Sequence, residues 1–182
     1  MTTDLPLPSG TWTIDPVHSD VTFSVRHLGL AKIRGRFNEF SGTVTVGENL
    51  ASTVVTAEID LASVDTHNPD RDNHLKSSDF FDVETNRTMT FRSTEVKSEG
   101  DDYTMDGELT VAGTTGLVSL EVEFLGTETF PVDQSTRAGF SATTTVSRSD
   151  LGITYDIPLG GDRMVIGDKV GIELDIQLIA PQ

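Results

Sequence analysis

A chain of 182 residues with 36% apolar and 23% charged side chains is long enough to bury its own core and too evenly mixed to be a disordered tail. Its 13 basic against 29 acidic residues give a formal charge of -16, which repels nucleic-acid phosphates and, unless a local basic patch exists, anionic lipid surfaces. There is no cysteine, which excludes disulfides, thiolate metal sites and cysteine nucleophiles.

The N-terminal stretch MTTDLPLPSG has no basic region and no apolar region, and no run approaches the ~18 apolar residues of a membrane helix. The expectation is a cytoplasmic protein without stable membrane insertion, in which residues 1-9 form a flexible arm ahead of a single domain at 10-182.

From Gly10 onward apolar and polar residues alternate. Trp12 and Ile14 precede a bend at Asp15-Pro16, and Val21, Phe23 and Val25 alternate with Thr22, Ser24 and Arg26. After a break at His27 to Leu30, the run Phe37 to Val46 predicts a long strand bent near Asn38 or Gly42, and Val55 to Leu61 predicts another. Met89 and Phe91, Tyr103 to Val111, Val118 to Phe124, Ala138 to Val146 and Val170 to Leu178 continue the period of two. About eight strands, each apolar on one face and joined by short turns, predict an antiparallel barrel or sandwich. The strands are long, and closure removes the edges that long strands expose, so the barrel is preferred. At eight strands its apolar lumen is either filled by side chains or just wide enough for one small ligand.

Two segments depart from this pattern. In THNPDRDNHLKSSDFFDV, from Thr66 to Val83, Asn68 or Asp65 can cap a short helix near residues 68-77, Pro69 suits its first turn, and Asp70 and Asp72 favour its positive end. A helix this short needs tertiary support, for which Leu75, Phe80 and Phe81 are the expected anchors. Such a helix either closes one end of the barrel or forms the lid or wall of a tunnel. The second segment, Ser149 to Asp168, has no sustained period, yet its Leu151, Ile153, Tyr155 and Ile157 argue against disorder, and Gly160-Gly161 could form a hinge.

Chemistry is thinly signalled. His67 and His74 beside Asp70 and Asp72 are the best metal cluster, but an Asp-His pair at i, i+4 more often forms a cap or ion pair, and no metal is expected. His18-Ser19 lacks the strand-turn-helix elbow of a nucleophile, so no catalytic residue is assigned. Arg71 and Arg148 border the irregular segments in a chain poor in cations. Each could orient a polar head group or pair with a carboxylate of the protein itself.

The stretches IDPVHSDVTFSVRHLGLAKIRGRFNEFSGTVTV, DTHNPDRDNHLKSSDFFDV with TMTFRST, GELTVAGTTGLVSLEV and RSDLGI resemble the YceI-like polyisoprenoid-binding proteins, most specifically in RDxHLKSxDFFD at Arg71 to Asp82. The turn AGTTGLVSL departs from the family pattern, where relatives tend to have a lysine and proline. The resemblance implies an all-β, eight-stranded antiparallel lipocalin-like barrel whose tunnel holds a polyisoprenoid, prenylquinone or fatty-acyl tail, with no cofactor and with homodimers possible. The residues expected to line that tunnel are Phe23, Phe40, Phe91, Met105, Leu120, Phe140 and Leu174 on strands, Leu75, Phe80 and Phe81 beside the helix, and Tyr155 in the second irregular segment. Arg71, His74 and Arg148 are the head-group candidates. Carriage or storage of such a lipid is the expected function; an enzyme acting on the lipid through His18, His74 or a nearby carboxylate, or a structural module with a filled barrel, are the alternatives.

Overall fold

The computed structural model describes residues 5-182, so the first part of the expected arm lies outside the described residues. Its strands are β1 (Gly10–Ile14), β2 (Asp20–His27), β3 (Ala31–Phe37), β4 (Phe40–Val46), β5 (Val54–Asp60) and β6 (Val64–Asp65), then helix α1 (Pro69–Lys76). After the helix come β7 (Thr88–Glu99), β8 (Asp102–Val111), β9 (Thr114–Thr129), β10 (Thr136–Ser147), β11 (Pro158–Gly160), β12 (Arg163–Met164) and β13 (Ile166–Ile179).

The ring β1-β4-β5-β7-β8-β9-β10-β13 closes through the pairing of β1 with β13, and every neighbouring pair is antiparallel. Three of its members are long strands interrupted once. β2 continues β1 along β13, β3 runs into β4 past Asn38, and β6 continues β5 after a 3-10 turn at Leu61–Ser63. The fold is therefore a closed eight-stranded antiparallel barrel, and the bend expected near Asn38 or Gly42 falls at Asn38-Glu39.

One end is packed shut. Trp12, only 1% exposed, lies with Leu7, Val46, Ala138 and Leu178, and its Nε1 donates to the Pro8 carbonyl at 3.1 Å. Residues 5-9 of the expected arm thus include a buried leucine at this end. The Asp15-Pro16 bend is held by Arg137, whose Nη1 donates to Asp15 Oδ2 at 2.6 Å, while His18 Nδ1 approaches the same oxygen at 2.6 Å. His18 therefore binds a carboxylate of the protein itself.

At the other end β6 and β7 do not pair, and α1 with the segment after it stands between them. No side chain of the helix is fully buried, so its capped ends add to the partial packing of Leu75 in fixing it. Asn68 Oδ1 accepts the Arg71 N–H at 3.1 Å, and Asp72 Oδ1 accepts the N–H and hydroxyl of buried Thr66 at 2.9 and 2.5 Å. Asp65, the other candidate cap, accepts the His67 N–H instead. Leu75, Phe80 and Phe81 pack on the core around Phe37, Leu61 and Leu109, which makes this segment a wall of the barrel.

Candidate functional site

Alternation along the strands aims one face of each inward, and the lumen stays open. Phe23, Phe40, Phe91, Met105, Phe140 and Leu174 point inward yet are only partly buried, as walls of a space would be; Leu120 is buried. Two apolar cavities occupy that space. The one nearer α1, of about 330 Å³, is lined by Phe23, Leu75, Phe80, Phe81 and Tyr155. The deeper one, of about 200 Å³, is lined by Phe40, Phe91, Met105, Leu120, Phe140 and Leu174. They share Val21, Met89, Leu109, Val146 and Ile172, so they adjoin end to end along the barrel interior.

Two glycines keep aromatic rings against the wall. A Cβ on Gly35 would sit 2.4 Å from the Phe23 ring, and one on Gly107 would sit 2.4 Å from the Phe91 ring. Each ring lies over the bare backbone of a neighbouring strand. No feature of either glycine in the sequence singles it out. Only the cross-strand register, Phe23 opposite Gly35, reveals the role.

The upper cavity reaches the surface where its lining includes exposed Arg26, His27, His74 and Ile157. At this mouth His74 Nε2 lies 2.8 Å from Asp79 Oδ2 and meets the rings of Phe80 and Tyr155 edge-on, each at 5.0 Å. Arg71 Nε donates to Thr66 Oγ1 at 2.8 Å and Nη2 to the Thr66 carbonyl at 2.7 Å, leaving Nη1 without a partner among the described residues. Arg148, buried, has all five N–H donors satisfied: by the carbonyls of Gly167, Ile153, Tyr155 and Ile166 and by Asp156 Oδ2 at 2.7 Å. It has no donor left for a head group, so of the two roles open to it from sequence it takes the structural one.

Arg148 also explains why Ser149 to Asp168 is ordered without a period. The segment wraps its guanidinium, and β11 and β12 form a small hairpin at the mouth. Gly160, which ends β11 at φ 108°, and Gly161, at φ 61° in the two-residue turn with Asp162, take left-handed conformations within that hairpin. Asp168 closes the base: it accepts from the hydroxyl of Ser147 and the backbone of Ser149, and these bonds hold its carboxyl at about 2. Among the described residues no three His, Asp or Glu side chains converge as metal ligands would.

Comparison with known proteins agrees with this geometry. A UPF0312 protein of Pseudomonas paraeruginosa is 40% identical over 141 residues, 77% of this chain and 73% of that protein. Among solved structures, Burkholderia cenocepacia BcnA superposes with a TM-score of 0.77 at 22% identity, over 90% of this chain and 98% of that one. A polyisoprenoid binding domain from Saccharophagus degradans, implicated in plant cell wall breakdown, superposes with a TM-score of 0.67 at 16% identity, over 93% and 98%. The family model of the YceI-like domain matches residues 12–178, nearly the whole barrel, and the chain belongs to that family.

Proposed function

We propose that the protein carries or stores one hydrophobic tail, of polyisoprenoid, prenylquinone or fatty-acyl type, in the barrel lumen. The observation that carries this reading is the apolar lumen, two adjoining cavities closed at the Trp12 end and reaching the surface beside α1. Its size falls in the range of about 300–1,000 Å³ typical of ligand pockets. The polyisoprenoid-binding neighbour and the family membership support the same class of ligand.

The lumen bounds the tail. Between lining residues Val170 and Leu178 the strand rises roughly 26 Å at about 3.3 Å per residue, or roughly 20 Å along a barrel axis tilted by ~40°. An extended chain gains about 1.2 Å per bond, as the peptide backbone does. About four isoprene units then fill the lumen. A longer tail must emerge at the mouth, consistent with full burial of some 40 carbons implying about 30 kcal/mol, beyond the ~18–21 kcal/mol ceiling of known affinities. At the mouth Arg71 Nη1 and His74 are the groups that can orient a polar head.

Mass spectrometry of natively purified protein, with lipid extraction, tests the reading: an amphiphile should be bound, and a prenyl probe should raise the melting temperature of the stripped protein. Phe140→Asp should abolish that rise. A stripped protein that no prenyl or acyl probe stabilises would overturn carriage.

The His74–Asp79 pair at the mouth favours one second reading, acid-base chemistry on the emerging head group. Turnover in a lipid product screen that vanishes in His74→Ala would establish it.

A further inference from the structure

Exposed apolar side chains are concentrated at the mouth. Of the nine large ones among the described residues, five lie there: Leu28 and Leu30 in the β2–β3 turn, and Ile157, Leu159 and Met164 on or beside the β11–β12 hairpin. The two turns are neighbours, since the Leu28 N–H donates to the Val165 carbonyl at 2.7 Å and the Val165 N–H to that of Ile157 at 3.0 Å.

The β2–β3 turn is built against its own conformational preference. Leu28 and Gly29 have φ of 58° and 67°, a pair of left-handed positions that asparagine, aspartate and glycine fill at little cost and leucine does not. Leu30 beside it is 79% exposed. Neither the core nor the turn requires a leucine at these positions, and an outlier of this kind points to function.

Charge is segregated at the same place. From Val21 to Asn38 the chain carries Arg26, Lys32, Arg34 and Arg36 and no acid, within a protein of net charge -16. Strand register puts Arg26 opposite Lys32 and Ser24 opposite Arg34 on the outer face, and only Arg36 is in a salt bridge, with Asp20. Of the acids near the rim, Asp156 is held by Arg148, Asp79 by His74, Asp72 by Thr66 and Asp168 by Ser147 and Ser149; Asp70 and Asp150 are exposed, Asp162 neighbours Arg163, and Asp65 and Glu173 share the outer wall with Lys32 and Arg34.

We propose that the mouth of the barrel docks reversibly on an anionic lipid bilayer. Leu28 and Leu30 enter the interface, Ile157, Leu159 and Met164 complete the apolar rim, and Arg26, Lys32 and Arg34 meet the head groups. A second copy on the same rim would bring these cations against their own counterparts. An anionic membrane is attractive to this rim alone, because the remainder of the protein is acidic, so electrostatics turns the mouth toward the lipid. Passage of a tail through the docked mouth rests on the carriage reading; docking itself does not.

Flotation with phosphatidylcholine vesicles, with and without phosphatidylglycerol, tests the proposal on the full chain. Binding should require phosphatidylglycerol and weaken with salt. Neutralising Arg26, Lys32 and Arg34 to glutamine should weaken it about fivefold per cation, and Leu30→Ser about tenfold. Leu28→Asn should weaken it while leaving the melting temperature unchanged or higher, since asparagine suits the turn, so a loss of binding there is not misfolding. Absence of binding to phosphatidylglycerol vesicles, binding untouched by these variants, or a solution dimer that Leu30→Ser dissociates would each overturn docking. Lipid occupancy measured by native mass spectrometry separates the two readings: a loaded protein that never floats ends docking alone, and a floating protein with no tail bound ends carriage alone.

Discussion

Arg148 is the residue on which the mouth is built. Its guanidinium gathers the carbonyls of Ile153 and Tyr155 and the Asp156 carboxylate from a stretch outside any strand, together with the carbonyls of Ile166 and Gly167 at the start of β13. Arg148→Met should cost about 3 kcal/mol in urea unfolding, because it leaves a buried carboxylate and several carbonyls without partners. From sequence the residue is only a cation at the border of an irregular stretch, and nothing in its neighbours tells a head-group ligand from a structural hub. Gly107 is less legible still, since its role appears only once Phe91 lies across it. Gly107→Ala should push that ring into the lumen and weaken prenyl-probe binding about tenfold, the scale of overpacking a core by one methyl group. Unchanged binding in a tail titration would show that the ring had another place to go.

Among the elements, most strands are legible in the chain, but β3 (Ala31–Phe37) is not, because its inward positions before Phe37 hold only Ile33 and Gly35 between charged residues, and the irregular segments are not. Alternation in Val170 to Leu178 and Ala138 to Val146 reports which face is buried, and closure of the ring follows once eight such strands must hide their edges. Helix α1 was legible through its capping and proline signals, yet its position beside an unpaired gap between β6 and β7 depends on pairing that periodicity does not encode. The mouth segment is closed by Asp168, whose pKa of about 2 lies below the ordinary carboxylate value because Ser147 and Ser149 donate to the ionised form. A depressed folded-state pKa stabilises above the unfolded value near 4 and is lost as pH falls toward 2. Amide exchange in residues 149-168 should therefore accelerate between about pH 4 and pH 2. In Asp168→Asn the rate should already be raised at neutral pH and lose that step.

At the scale of the whole molecule, stability and binding are assigned to opposite ends of the barrel. Trp12 lines neither cavity and is packed on all sides, with its neighbour Leu178 at the floor of the deeper one, whereas Leu174 and Phe91 face space on one side and so lack part of the contacts a filled core would supply. Removing a side chain should be most costly where its surroundings are complete. In lipid-free protein Trp12→Ala should cost about 4 kcal/mol and Leu174→Ala about 2 kcal/mol or less. Ligand reverses the ranking of what is lost: a bound tail stabilises the native state by mass action, and this gain depends on the lumen wall and not on the Trp12 plug. Urea titrations with and without a prenyl probe should then show the probe stabilising Trp12→Ala as much as the parent protein and Leu174→Ala by clearly less. Equal stabilisation of both variants would place the tail outside the lumen.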